Sequence, residues 1–127
     1  MEVNKSEINE KVTKVEIGAA FQEEDKKING AVELDLENQG QFVEIINSLL
    51  DEGHSQIIVD MRNISYIDSS GLWALFEGHK KATQSNGKLV LLKPTKDVKR
   101  VLDITKMSAK IEIYDDEKKA VETFTVQ

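Results

Sequence analysis

Apolar residues recur along this chain with two different periods, and the switches between them lay out the elements. Val15, Ile17 and Ala19 alternate with Glu16 and Gly18, and after the charged stretch 22–27 the apolar positions Ile28, Val32 and Leu34 resume. Period-two alternation marks half-buried strands, so the two runs predict an antiparallel hairpin. Ahead of them, residues 1–14 are polar and charged with Ile8 and Val12 scattered among them, and their order depends on whether a strand there finds a pairing edge.

From Gln41 the period lengthens. Phe42, Ile45, Ile46, Leu49 and Leu50 fall at the i, i+3, i+4, i+7, i+8 spacing of an amphipathic helix that Gly53 ends. Residues 57–61, Ile-Ile-Val-Asp-Met, then read as a strand buried on both faces of a parallel sheet. A loop follows, and a second helix from about Ser70 to Gln84 turns Leu72, Leu75 and Phe76 inward before the Asn86-Gly87 turn. Residues 88–92 form another buried strand. Pro94, with its fixed φ, stands just before a third helix carrying Val98, Val101 and Leu102. Ile111 and Ile113 mark a last strand, and Asp115-Asp116-Glu117 opens a terminal helix with Ala120, Val121 and Phe124 inward. The order ββαβαβαβα requires right-handed crossovers. It predicts an α/β domain in which a mostly parallel sheet is joined to the N-terminal hairpin.

Composition narrows the function. A chain of 127 residues suits one domain spanning 1–127, and 39% hydrophobic with 31% charged residues is ordinary globular usage. A net charge of −6 disfavours nucleic acid, whose binding depends on many phosphate-neutralising cations, and favours a protein partner. Without cysteine there is no disulfide, thiol nucleophile or thiolate ligand, which suits a reducing compartment. The start lacks the apolar core of a signal peptide and no run approaches a membrane span, so no membrane insertion and a cytoplasmic location are expected.

The chemistry concentrates in residues 64–72, where Asp68, Ser69, Ser70 and Gly71 reach the start of a helix. Strand-to-helix turns of this kind are ligand sites in open α/β sheets, and the first helical N–H groups can receive an anion. The plainer reading is an N-cap by Asp68 or Ser69, worth about 1 kcal/mol. Asp60 and Asp68 could approach as a carboxylate pair with Ser69 as a nucleophile, yet no histidine or lysine base is implied nearby and no enzyme is expected. His54 and His79 lack ligand-like spacing, and His79 extends the inward stripe of its helix as a structural residue. The acidic runs 23–25 and 115–117 lack the spacing of a calcium loop, and neither phosphate-cradling glycine motif occurs, so no metal or cofactor is expected. Lys93, Lys96, Lys99 and Arg100 give the third helix a basic, solvated side.

Residues 59–72, Val-Asp-Met-Arg-Asn-Ile-Ser-Tyr-Ile-Asp-Ser-Ser-Gly-Leu, resemble the signature of the STAS-domain anti-sigma factor antagonists of bacteria, which control sporulation and general-stress sigma factors. Residues 98–103, residues 111–115 and Ala120 are similar to that family's third helix and final strand-helix unit. Glu33-Leu34-Asp35-Leu36 followed by Phe42 resembles its Gly-Glu-Leu-Asp segment, although Val32 stands where glycine is usual. The resemblance implies that Ser69 accepts a phosphoryl group, that its neighbour Ser70 is not the acceptor, and that Asp68, Ser70 and Gly71 belong to the partner-contact surface, as does Asp35 unless it is simply a solvated residue or helix cap. It further implies that the unphosphorylated form binds an anti-sigma factor serine kinase and displaces the sigma factor. Phosphorylation reverses this, a serine phosphatase resets it, and the ATP site belongs to the partner. The competing reading is a constitutive STAS scaffold of a transport or signalling assembly, with the serine never modified. Trp73, the only tryptophan, stands where the family commonly has a small residue. Lying about 100° from Leu72 around the helix and off the inward stripe, it is expected to be partly exposed, as a partner anchor or packed on a loop.

Overall fold

The computed structural model describes residues 3–7, 12–17, 32–35 and 37–125. In chain order it contains β1 (Val3–Glu7), β2 (Val12–Ile17), β3 (Val32–Leu34), α1 (Gln39–Asp51), β4 (Gln56–Asp60), β5 (Ile64–Ile67), α2 (Ser69–Gln84), β6 (Lys88–Leu92), α3 (Lys96–Ile104), β7 (Ile113–Tyr114) and α4 (Glu117–Thr125). A single 3-10 turn, Met107–Ala109, links α3 to β7.

Five strands form one sheet in the order β1-β2-β4-β6-β7. The β1–β2 pair is antiparallel and the other three pairings are parallel, with Thr13 against Ile57 and Ile57 against Leu89. The side-chain period of two sorts the central strands onto two faces. Val15, Ile17, Ile57, Val59, Leu89 and Leu91 pack beneath Phe42, Ile46 and Leu49 of α1, Leu72, Ala74, Leu75 and Ala82 of α2, and Val98 and Leu102 of α3. On the opposite face, Val12, Ile58, Val90 and Leu92 meet Ala120 and Phe124 of α4, with Tyr114 and Val121 at the margin. That helix is clamped at its start by the Lys14–Glu117 pair at 2.9 Å and near its end by Lys88, which donates to Thr123 and Glu112. The Tyr114 hydroxyl, donating at 2.6 Å, and Lys88 hold the Glu112 carboxyl below its ordinary pKa.

The mostly parallel α/β arrangement agrees with the sequence, but the expected hairpin between residues 15–19 and 28–34 does not form. β2 lies inside the sheet, with β1 as its antiparallel neighbour, and β3 pairs in parallel with β5 in a separate two-stranded sheet. Burial gives the reason: Val12 and Thr13 point to opposite faces and both are covered, as an interior strand requires and an edge hairpin does not. Ala19, Ile28 and the charged stretch 22–27 lie outside the described residues. The segment after β4, expected to be a loop, is strand β5. The last strand begins at Ile113, because Ile111 turns into the core directly after the 3-10 turn.

Helix ends follow their sequence signals. Gly53 ends α1 with φ +90°, a left-handed conformation that glycine adopts without a Cβ penalty. Thr95 caps α3 by accepting from the Val98 N–H, and its hydroxyl also donates to the Ile64 carbonyl, tying α3 to β5.

Candidate functional site

The segment 64–72 is held by a strand, a cap and a carbonyl. In β5, Ile64 and Ile67 are buried while Ser65 and Tyr66 face solvent, so the strand anchors at its two ends. Its parallel pairing with β3 sets Leu34 beside Ile67, and the Leu34 carbonyl accepts from the Asp68 N–H at 3.3 Å. One residue on, Asp68 caps α2: its Oδ1 accepts from the Gly71 N–H at 2.9 Å and its carbonyl accepts from the Leu72 N–H at 2.9 Å. Gly71 lies directly against β3. A Cβ there would collide with the Leu34 carbonyl oxygen and stand 2.8 Å from Ile67 Cγ1, so only glycine permits this approach.

This arrangement gathers the expected residues at one end of β3 and β5. Ser69 is the first residue of α2 and is exposed, whereas Ser70 is half-buried and Gly71 is buried. Asp68 makes the cap, so the Ser69 hydroxyl has no such duty, and among the described residues the N–H groups of Ser69 and Ser70 have no acceptor. Asp35 follows Leu34 and so stands beside the same entrance. Its carboxylate is engaged in the turn before α1, where Oδ1 accepts from the Glu37 N–H at 3.1 Å, and Asn38 Oδ1 accepts from the Asp35 N–H.

Trp73 is 54% exposed, as its helical position predicts, and lies one turn beyond Ser69 on the same side of α2. Tyr66, three residues before Ser69, is 52% exposed and was not singled out as a contact from the sequence. The available signal was an aromatic residue inside the motif at a position the strand turns outward. Along the chain, Ser69 is thus flanked by two exposed aromatic residues, three positions before it and four after.

Asp60 and Asp68 do not form the carboxylate pair that the sequence left open. Asp60, 2% exposed, belongs to the α4 side of the sheet, where its Oδ2 accepts from Arg62 Nη2 at 2.7 Å and its Oδ1 accepts from the Arg62 N–H at 3.1 Å. Lys14 Nζ lies 4.0 Å away and pairs with Glu16 and Glu117. Burial alone would lower the Lys14 ammonium, but the Glu117 hydrogen bond and the surrounding carboxylates outweigh it and hold the pKa above the ordinary value. Asp68 is committed to the cap of a helix on the other face. Among the described residues no group of histidines and carboxylates could hold a metal ion, and no helix is long and apolar enough to cross a membrane.

The sequence and fold have known counterparts. The family model described as the STAS domain matches residues 19–120. Over 80 residues the chain is 36% identical to the anti-sigma-B factor antagonist of Staphylococcus epidermidis, covering 62% of this chain and 71% of that protein. The crystal structure of a Thermotoga maritima protein assigned to the anti-sigma factor antagonists superposes with a TM-score of 0.78 at 23% identity, over 98% of this chain and 95% of that one. The Bacillus cell fate determinant SpoIIAA, solved in its phosphorylated form, gives a TM-score of 0.66 at 16% identity over 96% of this chain and 98% of its own.

Proposed function

Because the chain belongs to the STAS domain family and, within it, to the anti-sigma factor antagonists, we propose that it binds an anti-sigma factor serine kinase while Ser69 is free and releases it once Ser69 is phosphorylated. The observation that carries this reading is the placement of Ser69: exposed, at the first position of α2, beside a cap made by its neighbour. A kinase can reach such a hydroxyl. Addition of a phosphoryl group brings about −1.5 to −2 charges at pH 7, directly beside Asp68 in a chain of net charge −6. The N–H groups of Ser69 and Ser70 lessen the cost of that charge within the fold. A partner packed over the entrance meets repulsion and loses water from a dianion, so the complex weakens. A serine phosphatase then restores the binding form.

Incubated with ATP and its anti-sigma factor kinase, the chain is expected to gain one phosphoryl group at Ser69, located by tandem mass spectrometry, and Ser69→Ala none. In titration calorimetry Ser69→Asp is expected to bind the same kinase at least tenfold more weakly than Ser69→Ala. Equal binding by the two variants would remove the switch and leave a constitutive scaffold as the better reading.

Tyr66 and Trp73 supply the apolar part of this surface. Aromatic side chains dominate the energetics of protein interfaces, and an exposed tryptophan one turn from Ser69 fits a partner with a recess to receive it. Trp73→Ala is expected to weaken the complex about tenfold or more while leaving the thermal midpoint of the free chain nearly unchanged, because the indole is largely in solvent already. Loss of stability instead of affinity would assign Trp73 to the fold.

A further inference from the structure

The outer edge of β1 is an exposed margin of the sheet, formed by residues other than those around the serine. β1 is the terminal strand of the five-stranded sheet, and among the described residues only β2 pairs with it. Lys5, Ser6 and Glu7 are exposed, and neither charge enters an ion pair among the described residues. An edge strand of this kind presents a row of unpaired N–H and C=O groups to any other strand. A lone lysine commonly guards such an edge. Here the lysine is accompanied by its complement, because Glu7 lies two residues on and therefore on the same face as Lys5.

We propose that β1 pairs antiparallel with β1 of a second copy about a two-fold axis through Ser6. In that register Lys5 stands opposite Glu7 of the second copy, Glu7 stands opposite Lys5 of the second copy, and the two Ser6 residues face each other. Opposite charges directly across an antiparallel pair stabilise it, and the two-fold symmetry makes each such contact twice. A pairing centred on Lys5 would instead set lysine against lysine. The charges therefore choose between registers as well as supporting one.

Beside the strand lies a polar groove of about 190 Å³ lined by Lys5, Ser6 and Glu7 of β1 together with Thr13, Leu49, Glu52 and His54. The strand is only five residues long, so the association is weak and shows at high protein concentration.

Sedimentation equilibrium on the full chain at rising concentration tests this directly. The wild type is expected to show a monomer–dimer equilibrium. Lys5→Glu and Glu7→Lys are each expected to raise its dissociation constant about tenfold, since each turns two attractive contacts into two repulsive ones. The swap Lys5→Glu/Glu7→Lys restores complementarity and is expected to return the constant to near the wild-type value. The single variants also separate register from overall charge: in a chain of net charge −6, general repulsion would make Glu7→Lys associate more tightly. Thermal melting of each variant confirms that the fold is intact. A wild type that stays monomeric, a Glu7→Lys variant that associates as well as or better than wild type, or a swap that fails to restore association would each overturn the proposal. Binding of an unrelated extended peptide at this edge, without self-association, would overturn it in favour of another occupant.

Discussion

Gly71→Ala is expected to destabilise the chain by about 3 kcal/mol, at the upper end of what overpacking costs in a closed site. The added methyl group would overlap the Leu34 carbonyl oxygen, well inside van der Waals contact. Backbone cannot yield as a flexible side chain does, so β3 or the first turn of α2 must shift. Either movement strains the hydrogen bond from the Asp68 N–H to Leu34 and the cap from the Gly71 N–H to Asp68. Urea denaturation followed by circular dichroism reads the loss as a lower midpoint with an unchanged slope. Gly40, also helical, provides the control: a Cβ there meets nothing within 4 Å, so Gly40→Ala is expected to be neutral or slightly stabilising. If both substitutions behave alike, the close approach of β3 to α2 does not govern stability.

Asp60→Ala is expected to cost about 3 kcal/mol, at the lower end of the range for removing one member of a buried ion pair. The carboxylate is 2% exposed and accepts from the Arg62 backbone N–H, Nε and Nη2. Its loss leaves Lys14, with a side chain only 13% exposed, short of one of its three carboxylates. Arg62 is half in solvent and keeps Glu16 at 3.2 Å, which limits the damage and places the effect at the low end. Glu117→Gln, which touches the same lysine from a position 41% exposed, is expected to cost less than about 1 kcal/mol. Chemical denaturation of the two variants side by side measures the contrast. Equal costs would mean that burial does not set the worth of these contacts.

Local periodicity made most of this fold legible. The 3.6-residue repeat of Phe42, Ile46 and Leu49 and the unbroken apolar runs at Ile57–Val59 and Leu89–Leu92 are properties of short segments, and each element lies where its pattern places it. Pairing is not such a property. Alternation in residues 15–19 announces a strand without naming its neighbour, and the neighbours proved to be β1 and β4. β5 escaped notice because its burial runs inward, outward, outward, inward, which matches neither period. At the site, Asp68 was readable as a cap from residue type and position alone. The further reason for Gly71 lay in a carbonyl 37 positions earlier in the chain, and the partners of Asp60 include Lys14, 46 positions earlier. Contacts between such distant segments leave no signature in either segment by itself.

Asp68 and Ser69 divide the work at the entrance to α2. The aspartate caps the helix while, among the described residues, the serine hydroxyl beside it holds no hydrogen bond, so an alteration of that hydroxyl leaves the cap in place. On the function proposed above, a phosphoryl group could therefore come and go at Ser69 with the Asp68 cap of α2 in place throughout.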